Sequence, residues 1–158
     1  MPKIKWGRLV TSIAICQLAG IVGSVATASS VKTWYPALAK PFFTPPSWLF
    51  GPAWITLYTL MGIALYIVWQ KQSPKKAYLE AIQVFAVQLI LNASWSIVFF
   101  GLKNPKLGLL VIIALWAFIL STILKFAKIS KASAWLLVPY LVWVTFATAL
   151  NLGIVLLN

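Results

Sequence analysis

The chain has 158 residues, of which 62% are hydrophobic and only 9% are charged, whereas soluble domains average roughly 45–50% apolar and roughly 25% charged residues. Thirteen lysines and arginines stand against a single acid, Glu80, and histidine is absent. This inventory argues against a water-soluble fold, and it excludes catalysis by paired carboxylates or histidine and the usual zinc or haem-iron ligand sets. We therefore predict no metal site and no cofactor, and any tetrapyrrole would bind without an axial histidine.

Five apolar stretches are each long enough to cross a hydrocarbon core of about 30 Å as a helix that rises about 1.5 Å per residue. They run over residues 9–30, 48–69, 77–100, 107–126 and 134–157. The chain is therefore predicted to be all-α, a polytopic membrane protein whose five transmembrane helices form a single domain over residues 1–158. Basic residues stand in small groups between these stretches, which is typical of membrane-flanking loops and not of a nucleic-acid-binding face.

The first stretch has an alternative interpretation, because a basic start and an apolar run before Ala26, Thr27 and Ala28 resemble a secretory signal. The run is longer than the apolar region of an ordinary signal. Small residues also recur in it at a spacing of four, as in close-packed membrane helices. These residues are Ala19, Gly23 and Thr27 on one face and Gly20, Ser24 and Ala28 on another. We expect a retained transmembrane helix.

Lysine and arginine are distributed unevenly between the two ends of the predicted bundle. Nine lie at the N-terminus and in the second and fourth connectors, and four lie in the first and third connectors. The positive-inside rule then predicts a multi-pass protein of the cell membrane with a cytoplasmic N-terminus and the first connector outside.

The first connector, residues 31–47, differs from the other three because it is long and rich in proline and aromatic residues. Its prolines are Pro36, Pro41, Pro45 and Pro46. A long loop with this composition is a candidate lid over a binding site.

Several tryptophans and amides lie well inside the predicted spans, at depths that place them beneath this loop. Trp54 is about two turns into its helix, Asn92 and Trp95 occupy one face of the third helix with Gln88, and Trp143 starts a stripe on the fifth. Amides in a membrane find partners or face a cavity. Two interpretations stay open: hydrogen bonds between helices, or an aromatic pocket for a flat apolar ligand. Glu80 is expected to pair with a lysine.

Three ordered motifs resemble the TspO/MBR family of tryptophan-rich sensory proteins and translocator proteins, the peripheral-type benzodiazepine receptors. The first comprises WYPALAKP at 34–41, PPSW at 45–48 and GPAW at 51–54. The second is QLILN at 88–92 followed by Trp95 and Ser96, and the third is PYLVW at 139–143 with FATALN at 146–151. The resemblance extends from the first loop to the last helix.

The resemblance implies a five-helix fold, often a homodimer, that binds porphyrins such as protoporphyrin IX and isoquinoline or benzodiazepine-type ligands. The implied ligand-binding residues are Tyr35, Trp54, Asn92, Trp95, Trp143, Phe146 and Ala147, and the implied lid residues are Trp34, Lys40, Pro45 and Pro46. Lys32 or Lys40 at the mouth is expected to meet the porphyrin propionates. The cholesterol-recognition stretch of mammalian members is absent from residues 151–158, so a bacterial type of member is a better match.

The leading functional hypothesis is a membrane receptor for porphyrins. An enzymatic hypothesis adds light- and oxygen-dependent degradation of protoporphyrin IX, in which Trp54 and Trp143 would be the catalytic residues, because the excited porphyrin supplies the reactivity. The alternative is a transporter or regulator of tetrapyrrole trafficking in the stress response. Ion-coupled transport lacks an acidic or histidine relay in this sequence.

Overall fold

The computed structural model describes residues 4–71 and 74–158. Its helices are α1 (Trp6–Thr33), α2 (Phe50–Lys71), α3 (Lys75–Ser96), α4 (Pro105–Ala127) and α5 (Lys131–Leu157). Each of the five helical segments is long and apolar enough to cross a membrane. The prediction of an all-α protein with five membrane-spanning helices is confirmed, and each predicted helix end lies within four residues of the observed one.

The five helices form a closed ring. α1 packs against α2 and α3, α2 packs against α5, and α4 lies between α5 and α3. Apolar side chains such as Val25, Leu110 and Val142 point outward and are more than half exposed, as expected for surfaces that face lipid tails. Others, including Met61, Ile112 and Tyr140, fill the centre of the ring.

Glycine allows the close approach of α1 and α2. A Cβ atom at Gly62 would meet the Cα atom of Ile13 at 2.5 Å, and a Cβ at Gly20 would overlap the ring of Tyr58. Gly23 lies similarly close to Ser96 of α3. Small residues permit such contacts between membrane helices, so the glycines of the predicted small-residue faces are packing residues.

The end of α3 departs from α-helical geometry. The helix continues into a single π turn over Ile97–Gly101, in which the amide of Leu102 donates to the carbonyl oxygen of Ile97 at 2.9 Å. A π turn inserts one extra residue and is frequent at functional sites. The Ser30 hydroxyl donates to the Phe100 carbonyl oxygen at 2.7 Å and fixes this turn against α1.

The first loop connects α1 to α2 and includes two 3₁₀ turns, Tyr35–Ala37 and Ser47–Leu49. It is attached to the end of α5, because the Asn158 side chain accepts from the Ala39 amide at 3.0 Å and donates to the Ala39 carbonyl oxygen at 2.9 Å. Pro41 lies directly against Gly153, where a Cβ atom would overlap the proline ring. The loop is therefore held in place over the ring of helices.

Candidate ligand-binding cavity

A cavity of about 440 Å³ lies within the helix ring on the side of the first loop. Residues of α1, α2, α3, α5, the π turn and the loop contribute to its wall. Its volume falls within the roughly 300–1,000 Å³ that is usual for small-molecule sites. A pocket beneath the proline-rich loop was one of the two interpretations that the sequence left open.

Indole and phenyl rings form one side of the cavity. The centroids of Trp54 and Trp143 are 6.5 Å apart with an interplanar angle of 83°, and Phe50 meets Trp143 edge to face at 6.0 Å. Trp54 also stacks on Tyr58 at 5.4 Å. Aromatic rings prefer these edge-to-face and offset arrangements, so the wall is made of rings that hold one another in orientation.

Trp95 contributes a third indole from the opposite side, and its orientation is fixed by a hydrogen bond. Its Nε1 atom donates to Asn151 Oδ1 at 3.1 Å, and its ring stacks on Phe99 at 5.3 Å. Asn151 Nδ2 in turn donates to the Pro105 carbonyl oxygen at 2.9 Å. One amide therefore links α3, α4 and α5 at the cavity.

A buried chain of hydrogen bonds lies behind the aromatic wall. The Tyr58 hydroxyl donates to Asn92 Oδ1, and Asn92 Nδ2 donates to the Tyr140 hydroxyl at 2.8 Å. The Tyr140 hydroxyl donates onward to Gln88 Oε1 at 3.1 Å. These side chains belong to α2, α3 and α5, so the chain of hydrogen bonds connects three helices in an apolar interior, where unpaired polar groups are costly.

The loop supplies the roof of the cavity. Tyr35 lies 5.6 Å from Phe100 and 6.4 Å from Phe99, measured between ring centroids, and burial raises the pKa of the Tyr35 hydroxyl above its ordinary value. Lys40 Nζ lies 5.1 Å from the centroid of the Tyr35 ring and donates to the carbonyl oxygens of Pro36 and Leu38. Lys40 therefore stabilises the loop through contacts within residues 35–40.

Five of the residues implied as ligand-binding lie on the cavity wall: Tyr35, Trp54, Trp95, Trp143 and Ala147. Asn92 does not, because it is 2% exposed and both of its amide atoms are bonded to tyrosines behind the wall. The amides of Asn92 and Gln88 were expected either to bond to other helices or to face a ligand pocket, and both form hydrogen bonds between helices. Phe146 packs behind Trp143, with its ring centroid 5.9 Å from that of the indole.

The implied lid residues lie around the roof and outside the cavity wall. Trp34 packs against Phe99 at 5.8 Å, and neither Pro45 nor Pro46 belongs to the wall. Lys40 Nζ donates to two carbonyl oxygens of its own loop, and a lysine ammonium group has three N–H donors. The expectation that Lys32 or Lys40 meets the propionates at the mouth therefore stays a prediction.

The sequence argument missed the contribution of α1. Gln17, Gly20, Ser24 and Thr27 line the cavity, and three of them belong to the small-residue faces that were interpreted as packing surfaces only. The available signal was the run of polar residues at helical spacing, Gln17, Ser24 and Thr27, in an apolar helix. The wall residues Phe99 and Phe100 depend on the π turn, which has no sequence signature of its own.

Charge is absent from the cavity in the described residues. No lysine, arginine or glutamate lines it, and residues 4–71 and 74–158 hold no cluster of three potential metal ligands. Glu80 forms an ion pair with Lys125, as predicted. The cavity therefore offers aromatic faces, hydroxyls and amides to a ligand, and no acid or base.

This combination defines a class: a multi-pass helical membrane protein with a neutral, tryptophan-walled cavity inside the bundle. The model of the TspO/MBR family matches residues 12–157, and the chain belongs to that family. The resemblance inferred from the three motifs is thereby confirmed.

Relatives from distant organisms align over most of this chain. The tryptophan-rich protein TspO of Archaeoglobus fulgidus is 52% identical over 151 residues, which is 96% of this chain and 97% of the relative. The tryptophan-rich sensory protein of Cereibacter sphaeroides is 35% identical, covering 99% of this chain and 94% of the relative. The translocator protein of Homo sapiens is 35% identical over 82% of this chain and 78% of its own length. Family membership and these names support a sensory or receptor role in the membrane.

Proposed function

We propose that this protein is a membrane receptor that binds flat, apolar, aromatic ligands in the cavity. Porphyrins such as protoporphyrin IX and isoquinoline or benzodiazepine-type molecules are the ligand classes. The observation that carries the proposal is the wall formed by Trp54, Trp95 and Trp143 around a cavity of about 440 Å³. These indoles come from three different helices, and each presents carbon surface to the same space.

The energetics of such a site are dominated by apolar area. Burial contributes about 25 cal/mol per Å² of apolar surface, so a large flat ring system removed from water and lipid headgroups gains several kcal/mol before association costs. Contacts with aromatic rings add about 0.5–1.5 kcal/mol per favourable pair. Because the wall rings are already fixed by mutual contacts and by the Trp95–Asn151 hydrogen bond, little ordering accompanies binding.

The neutral wall decides how a porphyrin lies in the cavity. Ionised carboxylates are costly in an uncharged, apolar site, so the propionates stay outside the aromatic wall while the macrocycle enters. Lys32 or Lys40 is then the basic residue that meets the propionates, since Lys40 Nζ keeps one of its three N–H donors beside its two hydrogen bonds to the loop.

The test is the double substitution Trp54→Ala and Trp143→Ala, with protoporphyrin IX binding followed by fluorescence in nanodiscs. Loss of two ring contacts lowers the affinity at least about tenfold, which corresponds to about 1.4 kcal/mol. The matched control is Trp6→Ala with Trp135→Ala, two exposed indoles at the other end of the bundle, and its affinity stays unchanged. An unchanged affinity in the Trp54/Trp143 variant, with its fold verified by circular dichroism, refutes the proposal.

A second candidate function is light- and oxygen-dependent degradation of bound protoporphyrin IX. The supporting observation is that Trp54 and Trp143 lie on the wall with ring centroids 6.5 Å apart, where either indole is placed to donate an electron to an excited porphyrin. The reduced porphyrin passes this electron to molecular oxygen, and the superoxide formed adds to the macrocycle, which returns one electron to the indole radical cation. Molecular oxygen is thus the net oxidant of the macrocycle. Illumination of the complex in air and under argon tests this: bleaching requires air and is slower in the Trp54→Phe and Trp143→Phe variant, which keeps aromatic walls.

Transport or regulation of tetrapyrrole trafficking is the alternative, and proteoliposomes loaded with porphyrin separate it from binding alone. Release that depends on this protein and is abolished by the Trp54/Trp143 substitutions favours transport. The homodimer and the cytoplasmic N-terminus stay predictions.

A further inference from the structure

The cavity is open on one side of the helix ring. Its wall residues on α1 and on the first half of α2 include side chains that are more than half exposed, among them Ile21 at 56% and Ile55 at 61%. Ser24 and Gly51 are also exposed wall residues. We call the opening between these four residues the α1–α2 gap.

The gap has a structural cause. Near their other ends, α1 and α2 are in close contact through Gly62 and Ile13. Gln17 marks the last polar link between them, since its Nε2 atom donates to the Ile55 carbonyl oxygen and to Thr59 Oγ1, each at 3.1 Å. Along the part of α1 that follows Gln17, the described residues form no hydrogen bond to α2. Beyond Gln17, the described contact between the two helices is that of Gly20 with the ring of Tyr58, and the cavity lies along this part of the pair.

The loop side of the cavity is closed by contrast. Asn158 clamps Ala39 through two hydrogen bonds, Pro41 packs on Gly153, and the rings of Phe43 and Phe146 meet at 6.2 Å. A ligand that came through the loop would have to break these contacts. The α1–α2 gap requires no such step.

The surface around the gap is apolar and uncharged, and it lies within the membrane-spanning length of both helices. Ser24 is nine residues before the end of α1, which places it about 13 Å along the helix at about 1.5 Å per residue. Lipid tails, and molecules dissolved among them, therefore reach this opening directly. We propose that ligands reach the cavity sideways from the bilayer through the α1–α2 gap, as apolar molecules already dissolved in the membrane, and not through the loop.

This inference rests on the proposed ligand-binding function. Rate measurements test the access route, whereas an equilibrium measurement tests binding itself. A Cβ atom at Gly51 would meet no other atom within 4 Å, so Gly51→Leu fits the fold and narrows the gap. We expect association and dissociation of protoporphyrin IX in nanodiscs both to slow, association by about fivefold, since an obstacle on the route raises the barrier in both directions. Gly7→Leu is the matched control, because Gly7 is equally open and lies far from the cavity.

The opposing variant is Asn158→Ala, which releases the loop clamp. If ligands travel through the loop, this substitution accelerates association and Gly51→Leu leaves both rates unchanged, and that result overturns the inference. A rise in dissociation alone in Gly51→Leu also overturns it, because the substitution then acts on the wall and not on a route.

If protoporphyrin IX does not bind the unaltered protein, the proposed function fails. A measurement without ligand still tests whether the α1–α2 gap opens to the bilayer. In a Cys16→Ala background, Ser24→Cys is compared with Val25→Cys, at a position that is 73% exposed and does not belong to the cavity wall. Both thiols should react with a membrane-dissolved pyrene maleimide and resist a charged, water-soluble thiosulfonate. Faster reaction of the charged reagent at Ser24→Cys than at Val25→Cys shows that the cavity is filled from water, which contradicts access from the bilayer.

Discussion

Tyr58 stacks on Trp54 while its hydroxyl donates a hydrogen bond to Asn92 Oδ1 on the neighbouring helix. The same side chain thus contributes its ring to the cavity wall and its hydroxyl to the buried polar chain behind it. Asn92 is 2% exposed and Tyr140 is 1% exposed, so water does not replace a lost partner. The position of Trp54 is linked in this way to hydrogen bonds that no ligand touches.

Tyr58→Phe separates these two roles. The ring stays in place, but Asn92 Oδ1 loses its donor in an apolar interior, and hydrogen bonds between membrane helices contribute about 0.6–1.7 kcal/mol. We expect a lower unfolding temperature, corresponding to about 1 kcal/mol, and a porphyrin affinity that changes less than about threefold, which is less than 1 kcal/mol. Tyr66→Phe is the control, since that hydroxyl accepts from the amide of Lys5 at the exposed end of α1. Equal melting curves for Tyr58→Phe and the unaltered protein would contradict the structural role of the hydroxyl.

Gly62→Ala tests the close contact of α1 and α2. The added methyl group would meet the backbone of Ile13 at 2.5 Å, and backbone cannot rotate away as a side chain can, so overpacking costs about 1–3 kcal/mol. Gly7→Ala is the control on the same helix pair, where a methyl group has open space and gains about 0.5–1 kcal/mol from reduced backbone entropy. Thermal unfolding in one detergent should therefore move in opposite directions for the two variants. A gain of stability in both would show that helix propensity, and not packing, decides.

Asn158→Ala tests the attachment of the first loop. The substitution removes the hydrogen bonds to the amide and carbonyl groups of Ala39 and one to the carbonyl oxygen of Ile154. Hydrogen exchange of the Ala39 amide should accelerate at least about tenfold, while amides in the middle of α5 keep their protection, since local opening has its own free energy. Leu156→Ala, at an exposed position on the same turn of the helix, provides the control. Unchanged exchange at Ala39 would mean that the packing of Pro41 on Gly153 holds the loop alone.

The sequence predicted the helices well because membrane spans are determined by composition over about 20 residues, a property that one sequence displays. It also placed Trp54, Trp95 and Trp143 at depths from which they could meet beneath the first loop, because depth along each helix follows from residue number and alternating direction. It could not decide the role of Asn92. An amide that faces a cavity and an amide that bonds two tyrosines occupy the same inward face of a helix, so the residue spacing is the same in both cases. Only coordinates show that Tyr58 and Tyr140 occupy both of its amide atoms.

The first helix shows a different limit of sequence interpretation. Small residues at a spacing of four indicate close packing, and Gly20 and Gly23 do pack closely on Tyr58 and Ser96. Gly20 also lines the cavity, together with Ser24 and Thr27 on the same faces. Whether a small residue admits a neighbouring helix or leaves space for a ligand depends on how α1 packs in the folded protein, which is a tertiary property.

The pH dependence of binding follows from the uncharged wall. The titratable side chains that line the cavity in the described residues are tyrosines and no other type; the ordinary tyrosine pKa is about 10, and burial raises the pKa of Tyr35 further. A tyrosine with a raised pKa stays neutral throughout the range below its ordinary value. The wall therefore has the same charge from pH 6 to pH 9.

Protoporphyrin IX dimethyl ester, which carries no ionisable carboxylate, isolates the contribution of the protein. We expect its dissociation constant in nanodiscs to vary by less than about twofold between pH 6 and pH 9, equivalent to about 0.4 kcal/mol. The free acid, measured in parallel, differs from the ester through its own carboxylates alone, and the Trp54/Trp143 alanine variant reports the background. A sigmoidal change in the affinity of the ester would require a group that titrates near neutrality next to the ligand, and the neutral cavity described above would then be wrong.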